Sequence, residues 1–151
     1  MDAEEETTGR RSPQWAFMSR LRIMKPEVGL YLDRLRIVAT PRFGVYLHHI
    51  VQPDQDPDPH DHPWPFATVV LRGGYVEEFH SFPYVFGSRQ PKNQVWRRWS
   101  CHRMGTETAH RITRLLGDTW TLVFVGRRRG TWGFWRGDAW LSWDEYEEVT
   151  R

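Results

Sequence analysis

Short apolar segments, each followed by turn-forming residues, run through most of the chain. They lie at 31–38, 43–51, 66–71, 75–79, 94–103, 110–116, 120–125, 131–135 and 139–143. Segments of this length between glycine, proline and aspartate residues are typical of antiparallel strands. The numerous aromatic side chains suit the half-buried surface of a sheet. The pattern predicts an all-β protein, either an antiparallel sandwich or a closed barrel of the jelly-roll type.

Three further features refine this prediction. The segment 66–79 predicts a hairpin in which Gly73 and Gly74 form the turn. Near the N-terminus, 14–22 fits a short helix. Residues 1–14 are acidic and then rich in Thr, Gly and Arg without apolar periodicity, so we predict a disordered tail there. The remaining 15–151 have the size of a single domain.

Composition favours a cytoplasmic protein that needs neither a membrane nor a nucleic-acid partner. The net charge of +2 is too small to indicate nucleic-acid binding by itself. The best apolar runs, 67–71 and 120–125, are too short to cross a bilayer, and the acidic N-terminus does not resemble a signal peptide. A single cysteine, Cys101, excludes an internal disulfide and fits a reducing compartment. Arginine dominates the basic residues, which indicates either a composition bias or recognition of carboxylates and phosphates.

The segment 59–63, Pro-His-Asp-His-Pro, contains the most informative side chains, His60 and His62. Side chains at i and i+2 of an extended segment project from the same face, so both imidazoles can reach one ion. The two prolines stiffen the segment. His110 begins a later strand and supplies a third imidazole. Three such ligands are the usual minimum for a first-row transition metal on a β scaffold.

Other interpretations of these residues remain open at this point. His60 and His62 could belong to an exposed polar loop, and His110 could be a core histidine. His102 is the alternative third ligand. The nearby acidic residues could bind calcium, but their spacing lacks the glycine and the terminal glutamate of a calcium loop; they are Asp54, Asp56, Asp58 and Asp61. Asp61 points away from both histidines and is expected to support the site or face solvent.

These motifs resemble those of the cupin superfamily over about 43–126. His60 and His62 match the paired histidines of the first cupin motif, Gly73 or Gly74 its closing glycine, and Gly105 with His110 the second motif. The resemblance implies a small jelly-roll barrel with one divalent first-row transition metal, held by His60, His62 and His110. It also implies a homodimer.

The chain departs from the cupin pattern at the glutamate that follows the paired histidines. Phe66 and Ala67 occupy the positions where the resemblance places that residue. The metal is then held by three histidines alone, or Glu77 or Glu78 takes the missing role. Tyr75, Glu77 and Phe79 share one face of their strand, so only one glutamate points inward, and we favour Glu77.

The expected pocket residues are His48, Trp64, Tyr75 and Arg114, with Arg114 pairing an anionic group of a small-molecule substrate. His48 and His49 are adjacent, so one of them faces the interior of its strand. Fe(II) is the favoured ion, and Zn, Mn, Ni and Cu are alternatives. The first functional hypothesis is a mononuclear non-haem Fe(II) oxygenase in which Glu77 orients or deprotonates the substrate. A redox-neutral isomerase, lyase or hydrolase and a non-catalytic ligand-binding protein are the alternatives.

Overall fold

The computed structural model describes the backbone of 4–6 together with residues 15–81 and 91–150. Strands make up 60% of the described residues and helix 6%, which confirms the predicted all-β class. The elements, in chain order, are β1 Glu4–Glu6, β2 Ala16–Lys25, β3 Gly29–Ala39, β4 Gly44–Ile50, β5 Phe66–Arg72, β6 Gly74–Ser81, β7 Lys92–Arg97, β8 Cys101–Met104, β9 Thr108–Leu115, β10 Thr119–Val125, β11 Gly133–Arg136, β12 Ala139–Ser142 and α1 Trp143–Thr150.

Two sheets face each other across the core. The larger sheet has the order β1-β2-β3-β4-β10-β5-β8, the smaller one has the order β7-β6-β9, and β11 pairs with β12. Leu32, Ile50 and Val70 of the larger sheet pack against Tyr75 of the smaller one. Burial of these side chains between the sheets is the main stabilising contribution, at about 25 cal/mol for each Å² of apolar surface. The result is the expected jelly-roll barrel.

The interior face of the larger sheet carries polar side chains beside apolar ones. Arg34, His48, Thr121 and Val70 lie side by side on β3, β4, β10 and β5. Thr121 and Val70 are almost completely buried, so this row faces the barrel interior. Arg36 lies two residues further along β3, on the same side, and is also buried. The interior is therefore cationic as well as apolar.

The N-terminal region differs from the prediction. The segment 14–22 does not form the expected helix, because Ala16–Lys25 is the strand β2, paired antiparallel with β3. Sheet pairing overrides the weak helical spacing of its apolar residues. Of the predicted tail, the backbone of Glu4–Glu6 pairs in parallel with β2, and the rest of 1–14 lies outside the described residues.

The predicted hairpin across Gly73 and Gly74 is wrong. The strand before these glycines, β5, pairs with β10 and β8, whereas the strand after them, β6, pairs with β7 and β9. Gly73 has φ +66 and Gly74 has φ +154, and a Cβ at Gly74 would lie 2.3 Å from the carbonyl oxygen of Trp96. The two glycines therefore carry the chain from one sheet to the other instead of reversing it.

Candidate metal centre

Backbone hydrogen bonds hold the segment around His60 against β9. His60 N donates to His110 O at 3.0 Å, and His110 N donates to His60 O at 2.8 Å. On its other side His60 pairs with Phe134 of β11. The smaller sheet thus continues through a single residue into the hairpin of β11 and β12. His60 lies on this isolated bridge and His62 follows it in a loop, whereas the sequence-based expectation placed both on an extended strand.

The three predicted ligand histidines lie together. One ring nitrogen of each of His60, His62 and His110 lies within 4.8 Å of the other two. The ring centroids are 5.1 Å apart for His60 and His62, 4.7 Å for His60 and His110, and 4.9 Å for His62 and His110. The Nε2 atoms of His62 and His110 are 2.8 Å apart. No cysteine or carboxylate among the described residues completes this cluster.

Two of the three imidazoles are held in the neutral form that a metal ion requires. Burial, opposed by Asp54 and reinforced by His110, lowers the pKa of His60 to about 4. Burial and the positive charges of neighbouring groups lower the pKa of His62 well below its ordinary value; His110 and His60 contribute most of that charge, followed by Arg34 and His48. Both side chains therefore offer a lone pair at neutral pH.

Glu77 holds the third imidazole, that of His110, on the side of the ring opposite the cluster. Burial alone would lower the pKa of His110, but Glu77 raises it by hydrogen bonding and by charge. Glu77 Oε1 lies 2.5 Å from His110 Nδ1, and Glu77 Oε2 accepts a hydrogen bond from Trp96 Nε1 at 2.7 Å. Because Nδ1 and Nε2 lie on opposite sides of the ring, the carboxylate lies across His110 from the cluster. A carboxylate at this position fixes the tautomer and orientation of a ligand histidine.

This placement distinguishes the two glutamates that were considered for the role of the missing glutamate ligand. Glu77 is 1% exposed and faces the interior. Glu78 instead lies beside His80 Nε2 at 2.8 Å and Arg111 Nη2 at 3.4 Å, away from the cluster. Glu77 is thus placed as a positioning residue for His110 and not as a fourth ligand of the cluster.

Three aspartates tie the loop before His60 to three different parts of the barrel. Asp54 accepts hydrogen bonds from Tyr31 Oη and from the backbone N of Ile112, the latter at 2.6 Å. Asp56 pairs with Lys25 of β2, and Asp58 Oδ2 accepts a bond from Tyr146 Oη of α1 at 3.0 Å. The three carboxylates are therefore bonded to separate elements, which argues against the calcium interpretation. They hold the histidine segment in place.

The carboxylate of Asp54 stays charged although it is buried. Burial would raise the pKa of Asp54, but its interaction with the nearby His60 and the hydrogen bonds from Tyr31 and Ile112 hold the pKa below its ordinary value. The interior next to the cluster therefore contains one fixed negative charge, which is already satisfied by hydrogen bonds.

Asp61 connects the histidine segment to the C-terminal hairpin. Its Oδ1 accepts a hydrogen bond from Gly133 N at 2.8 Å, and its Oδ2 accepts one from Trp140 Nε1 at 2.8 Å. Asp61 therefore supports the site, as expected from its alternation with the two histidines. It fixes the backbone between them and presents no oxygen to the cluster.

The predicted pocket residues separate into different environments. His48 faces the interior, where its Nε2 accepts a hydrogen bond from Arg34 Nε at 2.9 Å; its neighbour His49 pairs with Asp118 on the outer face. Tyr75 is 2% exposed and belongs to the apolar core. Trp64 lies beneath the guanidinium of Arg128, with 5.7 Å between that group and the ring centroid.

Arg114 does not face the interior, contrary to the expectation. It was placed on the same face as His110 and Ile112 by simple alternation along the strand. In the pairing of β6 with β9, Glu77 opposes Ile112 whereas Val76 opposes Arg114, so Thr113 is an extra, bulged residue. A bulge resets the alternation, and Arg114 is consequently exposed.

Sequence reasoning missed Arg34, Trp96 and the position of His102. Arg34 and Arg36 alternate with Leu35 and Ile37 along the sequence, but nothing in the sequence indicates that the charged side faces inward. His102, the alternative third ligand, stacks on Trp96 with 4.1 Å between ring centroids, and its Nε2 lies 3.4 Å from Glu77 Oε2. It adjoins Glu77 and is not part of the cluster.

Comparisons with known proteins establish the fold. No family model and no curated protein matches the sequence. The structure of Fe(II)-HppE with the alternative substrate (S)-1-HPP superposes with a TM-score of 0.53 and 16% identity, covering 71% of this chain and 54% of that one. A structure of Fe(II) HppE gives a TM-score of 0.53 at 15% identity, covering 83% of this chain and 62% of the other.

A candidate mannose-6-phosphate isomerase from Ralstonia eutropha JMP134 is similar to the same extent, with a TM-score of 0.52, 15% identity and coverage of 64% of this chain and 84% of that one. The chain spans little more than half the length of the first of these structures. The protein described here shares the cupin barrel of these structures. At such identities the similarity establishes the fold and leaves the reaction open.

The only helix in 15–81 and 91–150 is too short and too polar to span a membrane.

Proposed function

We propose that this protein is a metal-dependent enzyme that acts on a small organic molecule. His60, His62 and His110 would hold one divalent first-row transition metal at the barrel interior. The observation that carries the proposal is the convergence of three imidazole nitrogens within 4.8 Å, two of them on a loop segment that separate elements fix in place and the third on β9. Three protein ligands leave coordination positions for a substrate and a second small molecule.

The donor set fits such an ion. A metal–imidazole bond of about 2.1 Å requires ligand nitrogens roughly 3.0 to 3.4 Å apart for right-angled to tetrahedral geometry. The separation of 2.8 Å between the Nε2 atoms of His62 and His110 needs only a small opening to reach that range. The hydrogen bond between Glu77 and His110 Nδ1 leaves Nε2 of the ring as the coordinating atom.

The first candidate activity is that of a mononuclear non-haem Fe(II) oxygenase. A bound Fe(II) ion would supply a site at which an organic substrate and O₂ meet. The protein's own residues would hold that site: Glu77 keeps the tautomer of His110, and Asp61 fixes the backbone between His60 and His62. A reducing cytoplasmic compartment, which the exposed Cys101 fits, would keep both the iron and the thiol reduced.

A redox-neutral reaction is the second candidate, because three histidines without a carboxylate form a donor set typical of catalytic zinc. In that case the ion would act as a Lewis acid or would activate water. Isomerisation, lyase action and hydrolysis all fit this description. Dependence on O₂ and on the identity of the metal separates the two candidates.

The two candidate activities are tested by metal analysis and by a probe that binds to the coordination positions left open by the protein. We expect freshly purified protein to contain about one transition-metal ion per chain, and His62→Ala to lose it. His49→Ala is the matched control, since His49 lies on the outer face of β4 with Asp118. After anaerobic loading with Fe(II), nitric oxide should give the paramagnetic resonance signal of an iron–nitrosyl adduct, whereas a zinc preference without that signal would favour redox-neutral chemistry.

Two results would contradict the proposal. If the protein lacks stoichiometric metal and its thermal stability does not change after chelation, it is a non-catalytic ligand-binding barrel. If His62→Ala keeps the wild-type metal content, the three histidines are not the ligands. Light scattering on the same samples tests the homodimer implied by the resemblance to cupins.

A further inference from the structure

Three consecutive arginines, 127–129, lie beside the loop 59–65, which carries two of the proposed ligands. After β10 the chain runs antiparallel to this loop, and four backbone hydrogen bonds of 2.6 to 3.0 Å connect the two segments. They join Gly126 N to Pro65 O, Arg129 N to Pro63 O, Asp61 N to Gly133 O and Trp135 N to Pro59 O. Because Pro63 directly follows His62, the backbone of Arg129 contacts the neighbour of a proposed ligand.

The middle arginine attaches this segment to the loop through its side chain as well. Arg128 Nε donates to Gly130 O at 2.8 Å. The same guanidinium lies over the ring of Trp64, at 5.7 Å from the ring centroid. Trp64 is two residues after His62 in the loop. The arginine segment is therefore held next to the metal centre by contacts of both backbone and side chain.

The two flanking arginines carry charges that the described part of the chain does not neutralise. Arg127 and Arg129 are exposed, and neither guanidinium forms a hydrogen bond or an ion pair with a described residue. The two joined segments contain three arginines and one acidic residue, Asp61, whose carboxylate is bonded to the C-terminal hairpin. Two such guanidiniums suit an anion with more than one charge, because each planar fork can bind two oxygens.

We propose that Arg127 and Arg129 bind a multiply charged oxyanion of the substrate, a phosphate or a diphosphate, beside the metal centre. This inference rests on the proposed function, because it assumes that the rest of the same molecule reaches the metal. It assigns a substrate class: small phosphorylated organic molecules. A nucleic acid is the alternative polyanion, but the net charge of +2 and the shortness of the segment favour a single anionic group.

Calorimetric titration of the full chain with inorganic pyrophosphate, at about 0.1 M ionic strength, tests the assignment. The double variant Arg127→Gln/Arg129→Gln should bind pyrophosphate about tenfold more weakly, roughly threefold for each exposed ion pair that is lost. Its metal content should stay at the wild-type value, because neither residue is a proposed ligand. The wild type should bind acetate much more weakly than pyrophosphate, since acetate carries a single charge.

The matched control, Arg97→Gln/Arg98→Gln, removes the same charge elsewhere. Both arginines are exposed, and Arg98 lies over the ring of Trp99 at 4.9 Å from its centroid. Arg97 pairs with the first residue of β6, whereas His110 pairs with the sixth residue of that strand. The separation along β6 is about 16 Å, which exceeds the screening length of about 10 Å. The pyrophosphate affinity of the control should therefore stay close to that of the wild type.

Three results would overturn the inference. Equal pyrophosphate affinity in the wild type and in the folded double variant would place the anion elsewhere, for example on the metal itself. An equal loss in the control would indicate a general effect of charge, as for a nucleic acid, and absence of binding to the wild type would remove the site altogether. If the double variant does not fold, the single variants Arg127→Gln and Arg129→Gln, each expected to lose about threefold, replace it, and unchanged affinity in both would likewise overturn the inference. Wild-type protein without metal would instead refute the proposed function, and its pyrophosphate titration would still be informative, so the two failures are distinguishable.

Discussion

Replacement of Glu77 by glutamine should weaken metal binding without removing any ligand. The carboxylate receives two hydrogen bonds, from His110 Nδ1 at 2.5 Å and from Trp96 Nε1 at 2.7 Å. Glutamine offers one acceptor oxygen and one NH₂ group to these two donors. Since the indole of Trp96 can only donate, the amide oxygen will face Trp96 and the NH₂ group will face His110.

This arrangement reverses the tautomer of His110. To accept a bond from the new amide, Nδ1 must give up its proton, and the neutral ring then carries a proton on Nε2. That atom faces His62 and is the proposed ligand. Removal of an orienting partner of a ligand histidine typically costs about 10- to 100-fold in metal affinity. We expect a loss in this range, which corresponds to about 1.4 to 2.7 kcal/mol.

The assay is competition for Zn(II) or Co(II) between the protein and a chromophoric chelator. Glu78→Gln is the matched control: it removes the same charge from the adjacent residue, which pairs with His80 and Arg111 away from the cluster. Its metal affinity should stay within about twofold of the wild type. Wild-type affinity in a folded Glu77→Gln protein would show that the carboxylate does not orient the ligand. An equal loss of metal affinity in both variants would mean that removal of any nearby negative charge weakens binding, without a specific role for Glu77.

Three further predictions concern stability in the absence of metal. Thr121 Oγ1 is buried without a hydrogen-bond partner among the described residues, so Thr121→Val should raise the free energy of unfolding by about 1 kcal/mol. Thr119→Val should lower it by about 1 to 3 kcal/mol, because Thr119 Oγ1 bonds to Gly74 N and Gly74 O. Denaturant unfolding measures both, and destabilisation of the two variants alike would contradict the argument. The free energy of unfolding should also fall by about 1 kcal/mol or more between pH 7 and pH 5. In this pH range His60 and His62 become protonated in the unfolded chain but stay largely neutral in the folded protein, because folding lowers their pKa values. Proton uptake therefore favours the unfolded state. The raised pKa of the third histidine in the cluster opposes this trend but does not cancel two contributions. Stability that is constant or rises toward pH 5 would refute the assignment.

The strand pattern and the three histidines were accessible from the sequence because both depend on short-range periodicity. Alternation with a period of two predicted which segments are strands, and it placed His60 and His62 on one side of their segment. It also placed Glu77 inward and Asp61 away from the cluster, where its oxygens bond Gly133 and Trp140. Each of these inferences requires only the geometry of an extended chain.

The errors arose where the structure departs from that regular geometry. Arg114 was placed inward because alternation was continued through Thr113, which is bulged. The hairpin at Gly73 and Gly74 was predicted from a local turn signal, although the partners of β5 and β6 lie in different sheets. Pairing between distant strands depends on the whole barrel, and a local pattern does not encode it.

The distribution of charge inside the barrel explains why the acidic residues near the histidines are not ligands. Asp54, Asp58 and Asp61 each bond a different element, and Glu77 bonds the rear of His110, so the carboxylates surround the cluster and face away from it. Carboxylate ligands would neutralise the charge of a divalent ion, whereas three neutral imidazoles leave it undiminished. The proposed metal site therefore consists of imidazoles alone, because the carboxylates of Asp54, Asp58, Asp61 and Glu77 are engaged with other parts of the barrel.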